Sequence, residues 1–493
     1  MYTPRDYQQN GIDSCIEILT SPKPRREIVV SPTAGGKSLY VAFAAKALKS
    51  PIIILQPSKE LLKQNYQKYI DLGGEAEIYS ASLKSLSIGK VTFATIGSII
   101  NKVEEVKKLG VKNLIIDECH LGTQSNSQIR RFINGVGIKN VLGLTATPVY
   151  LKGGMDGAEL KMMNRVKGSL FKDIAHVTQI SELVSKKFWS RLDYNIEDQD
   201  VSFLRANSNG SDFTKESQKE FYDGNNLKNK VIEHVKNLRA EGRKSILIFV
   251  PTIDEAEELG NVIPRSAVVH SKLKPSERDS IIDSFRNLEI DVVINVNILS
   301  VGFDHPQLDA IITCRSTMSI AIFYQQIGRG VRIFPGKESC KIIDLSENVK
   351  KFGIVEDLNF TKIDGWGWGL FNKDVLLSNY PMSGIKRPTK DSLFKSVERK
   401  RIDKRNSESL STKRINILDA IKMSEYSENG VLFHTGVKDV PSTIIWFGKY
   451  NGKTVKEIHK ENNKYFPWMI DNFEWKGLRM NSLKKEINIL LKL

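Results

Sequence analysis

Short, mainly aliphatic runs recur along this chain, each separated from the next by a segment with helical spacing. In the first 150 residues they are Ile28–Val30, Ile52–Leu55, Val91–Ala94, Leu114–Ile116 and Val141–Leu144. A second series follows at Ile246–Val250, Ala267–His270, Val292–Val296, Ala310–Cys314 and Lys341–Leu345. A single run this short does not exclude a buried helix; the alternation is what argues for strands. Strands apolar on both faces, alternating with helices, are the pattern of a parallel sheet covered on both sides. The expected fold class is therefore α/β, with two parallel-sheet units in tandem.

The run Leu114–Ile116 ends abruptly in Asp117-Glu118-Cys119-His120. At the carboxyl end of a buried parallel strand, paired acids stand where open α/β sheets bind ligands. One acid can hold Mg²⁺ through its water shell, and the next can take a proton from an attacking water. An N-cap followed by a surface acid would leave the same letters. Upstream, however, Glu27–Val30 runs into Ser31-Pro32-Thr33-Ala34-Gly35-Gly36-Lys37-Ser38 and then an Ala-rich stretch, Leu39–Leu48. This reads as strand, small-residue loop and helix. Backbone N–H groups of such a loop cradle phosphates, with Lys37 reaching the β and γ oxygens and the Ser38 hydroxyl ligating Mg²⁺ opposite Asp117. Ser31 replaces the usual first glycine, and a small residue is what the loop requires there.

Composition narrows the partners. The chain has 493 residues, with 73 Lys+Arg against 57 Asp+Glu, a formal charge of +16. That length allows two or three domains, and that charge favours acidic partners, nucleic acid foremost. The four cysteines, Cys15, Cys119, Cys314 and Cys340, form no C-x-x-C pair. Neither a structural zinc nor a disulfide framework is expected, and a reducing cytoplasm suits them. No long apolar run or signal peptide is apparent, so no membrane association is expected.

Between the two series, Val149 to about Lys172 reads as a Gly- and Met-rich excursion. Ile180–Tyr194 reads as a helix and entry strand, and Asp198–Gly224 as a polar loop. Beyond them, residues 386–415 hold eleven Lys/Arg against four Asp/Glu, either a solvated linker or a nucleic-acid contact. The last fifty residues regain aromatics, including Trp446, Phe447, Tyr450, Tyr465, Phe466 and Trp468, among which stand Lys449 and Lys453. This predicts a small packed module.

Taken in order, these strings resemble the motifs of superfamily 2 helicases and translocases. The resemblance covers residues 1–355 and is greatest to the DEAH-like branch that includes RadD, the phage protein UvsW and type III restriction motors. Arg5–Gln8 resembles an adenine-reading motif, Ser31–Ser38 motif I, Pro57–Gln64 motif Ia, and Asp117–His120 motif II, here DECH. Thr145-Ala146-Thr147 is similar to motif III, Ile246–Thr252 to IV, Asn295–Pro306 to V, and Gln325–Arg332 to VI. The resemblance implies two RecA-like lobes, residues 1–177 and 178–355, with an ATP cleft between them. A basic connector, 356–440, and a small C-terminal module, 441–493, would follow. The implied activity is ATP hydrolysis coupled to movement on DNA. An RNA helicase, an ATP-gated DNA-binding recruiter and a restriction-type motor stay open as alternatives.

By the same resemblance, Lys37, Asp117, Glu118, Gln325, Arg329 and Arg332 carry catalysis, with Glu118 as general base and the two arginines reaching in from the second lobe. ATP would contact Arg5, Gln8, Pro32, Thr33, Ala34, Gly35, Gly36, Lys37, Ser38, Gly302 and Asp304, and Mg²⁺ would be held by Ser38 and Asp117. Strand contacts fall on Pro57, Ser58, Lys59, Thr95, Thr252, His270, Ser271, Asn297 and Ser300, and Thr145 and Thr147 couple the two activities. Lys59 and the DECH string tilt the expected partner towards DNA. No cysteine follows Cys340, unlike the cysteine-rich C-termini frequent in RadD-like chains. The segment from Phe447 to Met469 resembles a module appended to some exonucleases.

Overall fold

The computed structural model describes residues 2–123, 127–154, 157–166, 168–208, 212–298, 305–363 and 367–378, with isolated positions Ile458, Glu461, Phe466 and Ile487. Ser300, Gly302 and Asp304 lie outside the described residues, as do the basic stretch 386–415 and nearly all of the C-terminal module.

Two sheets organise the chain. Strands β1 (Arg26–Val30), β2 (Ile52–Leu55), β3 (Glu77–Ser80), β4 (Ser85–Leu86), β5 (Val91–Ala94), β6 (Asn113–Ile116) and β7 (Asn140–Thr145) belong to the first. After an antiparallel hairpin of β8 (Val149–Gly154) and β9 (Gly157–Met162), β10 (Asp173–Val177) completes it. The spatial order is β10-β1-β7-β6-β2-β5-β3-β4, parallel except for the short β3–β4 pair. The second sheet takes β11 (Arg191–Ile196), β12 (Ile246–Phe249), β13 (Ser266–Val269), β14 (Val292–Asn295), β15 (Ala310–Thr313) and β16 (Ser339–Asp344). Its order is β11-β16-β15-β12-β14-β13, parallel throughout.

The local chemistry explains these elements. Every residue of β2, β5, β6, β12, β14 and β15 is buried, as helices on both faces demand. Helix Lys59–Asp71 starts where the Ser58 hydroxyl accepts the Leu61 N–H at 3.2 Å. Helix Gln128–Val136 is bounded by Ser127, whose hydroxyl accepts the Arg130 N–H, and by Gly137 at φ 80°. One apolar cluster is continuous between the lobes, joining Ile53, Leu114 and Phe171 through Trp189 and Tyr324 to Leu247 and Ile311.

Three segments depart from the sequence reading. The excursion after Val149 is the β8–β9 hairpin, held by backbone pairing that a Gly- and Met-rich string does not advertise. The expected polar loop Asp198–Gly224 ends in a helix, Lys215–Gly224, capped by Thr214. Only Phe221 and Tyr222 supply it with large apolar contacts, beside buried Ser217 and Gln218, so its inner face is too narrow to stand out as a period. Within the stretch expected as a basic connector, β17 (Leu358–Ile363), β18 (Gly367–Asn372) and β19 (Val375–Leu376) form an antiparallel sheet. The Gln179 side-chain amide pairs with Phe360 like a strand neighbour: it donates to the carbonyl at 2.6 Å and accepts the N–H at 3.1 Å.

Candidate nucleotide cleft and nucleic-acid rim

The loop from Ser31 to Gly36 joins β1 to helix Lys37–Ala47. Ala34 at φ 59° and Gly36 at φ 95° turn it through the left-handed region. A Cβ on Gly36 would lie 2.5 Å from the Gln8 amide nitrogen and push that side chain aside, and the positive φ itself favours glycine. Gln8, buried, donates to the Gly35 carbonyl at 3.3 Å and accepts the Arg5 N–H at 3.0 Å. The Arg5 guanidinium lies 3.9 Å from the Phe188 ring centre, a flat cationic and aromatic surface at one end of the cleft.

Strand β6, separated from β1 by β7, delivers the two acids alongside this loop. The Lys37 ammonium sits 3.0 Å from a Glu118 carboxylate oxygen. Glu118 occupies φ 46°, an uncommon conformation for a non-glycine residue. Burial by itself would raise its pKa, but Lys37, His120 and Arg329 together hold it below the ordinary value, so Glu118 is ionised. Asp117 goes the other way: burial, then the neighbouring Glu118 charge, push it up to about 6. Its two oxygens accept the Glu118 N–H and the Asn65 amide, each at 2.9 Å.

The second lobe closes the far wall. Helix Ile320–Ile327 brings Tyr324, whose hydroxyl accepts the Thr33 N–H at 3.2 Å, while Trp189 donates to the Thr33 carbonyl at 3.1 Å. The resulting cavity, about 350 Å³, has Arg5, Lys37 and Glu118 on one side and Gln325, Arg329 and Arg332 on the other. His120 joins three motifs. Its Nδ1 is 2.9 Å from the Thr145 hydroxyl and 3.4 Å from Glu118, and its Nε2 is 3.4 Å from the Gln325 amide. The Thr145 hydroxyl also accepts the Thr147 N–H at 3.0 Å.

The cleft fits a Mg²⁺ nucleotide. Ser38 lines it and Asp117 lies beside it, both hard oxygen donors, and Asp117 is already engaged by two protein donors. Among the described residues no group of three or more His, Cys, Asp or Glu could cage a metal. A few oxygens that leave room for water and phosphate are what Mg²⁺ prefers.

The expected strand contacts lie at carboxyl ends of strands. Pro57, Ser58 and Lys59 follow β2, Thr95 follows β5, and Thr252, His270 with Ser271, and Asn297 follow β12, β13 and β14. Pro57, Ser271 and Asn297 are exposed, whereas His270 is buried. Several already have partners within the protein: Thr95 bonds Ser98, Thr252 bonds Glu255, and Asn297 accepts from Arg315. Sequence reasoning overlooked Asn65, Phe188, Trp189 and Tyr324, and it gave His120 no role. The adjacent aromatics Phe188-Trp189 just before an entry strand were the available signal; Asn65 and Tyr324 left none.

Fold and cleft together define a two-lobed α/β protein with a candidate nucleotide cleft between its lobes. Residues 1–150 match the family model described as type III restriction enzyme, res subunit, and 228–334 match the helicase conserved C-terminal domain. By these two matches the chain is similar to the superfamily 2 helicases. Residues 445–474 match the exodeoxyribonuclease X-like C-terminal model. The Saccharomyces cerevisiae protein IRC3, provisionally named an ATP-dependent helicase, is 23% identical over 69% of this chain and 51% of its own length. A 51.5 kDa protein of a Lactococcus phage is 26% identical over 66% of this chain and 67% of its own. Against IRC3 the chain thus spans about half the relative's length. In fold, the chain is similar to the ATP-dependent Type ISP restriction-modification enzyme LlaBIII bound to DNA. That match has a TM-score of 0.50 and 16% identity, and covers 70% of this chain and 28% of that one. Among the described residues no helix is long and apolar enough to cross a membrane.

Proposed function

We propose that this chain is an ATP-dependent nucleic-acid motor acting on DNA: a helicase or translocase that couples ATP hydrolysis to movement on DNA or its remodelling, in repair, recombination or replication. The observation that carries this reading is the cleft, where Lys37 and Glu118 of one lobe face Gln325, Arg329 and Arg332 of the other. On this reading residues 1–177 and 178–355 are the two motor lobes. The first segment holds ATP through Arg5, Gln8 and the loop Pro32–Ser38, and the basic stretch and C-terminal module assist on DNA.

Each side chain then has a task. Lys37 neutralises the β and γ phosphates and, in its ion pair, keeps Glu118 ionised and ready to take the proton of the attacking water. Arg329 and Arg332 stabilise the charge that develops on the transferred group, and Gln325 orients water or nucleotide. Ser38 and Asp117 would hold Mg²⁺, which would supply positive charge to the phosphates. Because the site needs both lobes, hydrolysis is tied to their closure. Through His120 the same closure reaches Thr145 and Thr147. The strand-end residues Pro57–Lys59, Thr95, Thr252, Ser271 and Asn297 suit sequence-independent phosphate contact. Four buried, free cysteines support action in a reducing cytoplasm, bacterial or phage-infected.

The test is ATPase activity and strand displacement against single-stranded, duplex, forked and branched DNA and against RNA. Stimulation by DNA above RNA is expected. Stimulation by RNA alone would replace the DNA reading with that of an RNA helicase, and hydrolysis without strand displacement or translocation would favour a recruiter. A restriction-type motor is the second reading, favoured by the restriction-subunit model matched over residues 1–150. It predicts translocation on duplex DNA without strand separation.

A further inference from the structure

The arginines that face the nucleotide cleft lie on a segment whose backbone is gripped from behind by one side chain. Upstream of Arg332 the chain is anchored by Val331, which is fully buried and whose carbonyl accepts the Ser190 N–H at 2.8 Å. Downstream, no apolar anchor follows at once: Ile333 is 50% and Phe334 38% exposed. Gly336, at φ 80°, then reverses the chain, and a Cβ there would meet nothing within 4 Å. Lys337 folds back under this turn. Its ammonium donates to the carbonyl of Gly330 at 2.7 Å, of Arg332 at 2.8 Å and of Pro306 at 3.4 Å. An ammonium has three donors, and all three are spent on backbone oxygens.

We propose that Lys337 is a positioning residue for Arg332, clamping the backbone on either side of it so that the guanidinium enters the cleft at a fixed place. The clamp also takes in Pro306, a residue that itself lines the cleft. One cation thus sets the spacing of two chain segments against the nucleotide. The surroundings make this an expensive location for a charge: burial first, then Arg332 and Arg243, draw the lysine below its ordinary pKa. An apolar side chain would fill the space without that cost but would leave three carbonyls without their donor. The inference rests on the reading that Arg332 completes the ATP site.

The test uses full-length protein and compares wild type, Lys337→Met, Lys337→Gln, Arg332→Ala and the double variant Lys337→Met/Arg332→Ala. A misplaced catalytic group costs on the order of 100-fold, so Lys337→Met is expected to lower nucleic-acid-stimulated kcat by roughly 10- to 100-fold. The KM for ATP, the melting temperature and nucleic-acid affinity should stay close to wild type. In the Arg332→Ala background the same change should lower kcat no further, because groups acting as a unit are not additive. Lys337→Gln, which keeps two N–H donors, should recover part of the loss and carries the comparison if Lys337→Met does not fold. A wild-type kcat in Lys337→Met, an additive loss in the double variant, or a joint loss of kcat, ATP affinity and melting temperature would each overturn the proposal. If wild-type protein hydrolyses no ATP with any nucleic acid, the functional reading fails instead; an active wild type with unaffected Lys337 variants refutes the clamp alone.

Discussion

Glu118 sits in a left-handed conformation that costs roughly 1 kcal/mol or more in a residue with a side chain. The cost is offset where the conformation aims the carboxylate at Lys37, across the cleft from Arg329. Replacing it with glutamine keeps the shape and removes the base. Glu118→Gln is expected to bind ATP yet lose stimulated hydrolysis by at least about 100-fold, measured by nucleotide binding beside steady-state ATPase. Near-wild-type turnover in the folded variant would sink the assignment of the base. Lys37→Ala and Arg332→Ala should abolish stimulated hydrolysis from opposite walls. His120 makes a different prediction. It touches Thr145, Glu118 and Gln325, so His120→Ala should spare basal ATPase more than stimulation by nucleic acid. Equal loss of both rates would remove its coupling role. The letters Lys37, Asp117 and Glu118 were legible because their chemistry is local, set by one loop and one strand end. The partners of His120 were not, since Gln325 lies 205 positions away and only packing brings it close.

At the scale of elements, the small sheet β17–β19 is the largest departure from expectation. It touches the first lobe through Lys362, 3.6 Å from Asp173, and the start of the second through Gln179. The turn that leads into it touches the second lobe: the Tyr194 hydroxyl donates to Glu356 at 2.7 Å and accepts the Val355 N–H at 3.3 Å. Burial pushes the Glu356 carboxyl up to about 7. A raised carboxyl pKa means the folded protein keeps a proton that the unfolded chain releases near pH 4.5. Stability from this group is therefore full below about pH 4.5 and falls as pH rises to about 7, by on the order of 3 kcal/mol. Denaturant melts between pH 5 and 8 should show that slope, and Glu356→Gln should flatten it. A Glu356→Gln protein with an unchanged pH dependence would contradict this account. The sheet was hidden because β17 and β18 carry only six residues each and pair with one another rather than joining a long alternating series.

For the whole molecule, the charge of +16 and the hydroxyl-rich strand ends predict binding to nucleic acid that is sequence-independent and steep in salt. Titrations of several unrelated DNA sequences from low to moderate salt should give similar affinities that fall together; a flat response, or one strongly preferred sequence, would count against the motor reading. Residues 386–415 carry a formal excess of seven positive charges. Removing residues 379–493 should leave basal ATPase nearly unchanged, raise the DNA concentration needed for stimulation and shallow the salt slope. An identical slope would assign the C-terminal part to a protein partner instead. A joint fall of melting temperature and basal ATPase would make it packing for the motor.

The sequence by itself determined what short-range chemistry can write. Aliphatic runs alternating with helical segments specified buried parallel strands, because such strands are apolar on both faces and are joined by helices that cover them. Gly35-Gly36-Lys37-Ser38 specified a tight strand-to-helix loop, and Asp117-Glu118 marked the charged end of a buried strand. Only the tertiary structure decided how two lobes meet: Tyr324 and Trp189 on Thr33, and Arg278 on Glu60 at 2.8 Å. Those contacts join residues far apart in the chain, where no periodicity or spacing records the partner. Each is chosen by which groups remain to be satisfied once the two sheets have packed.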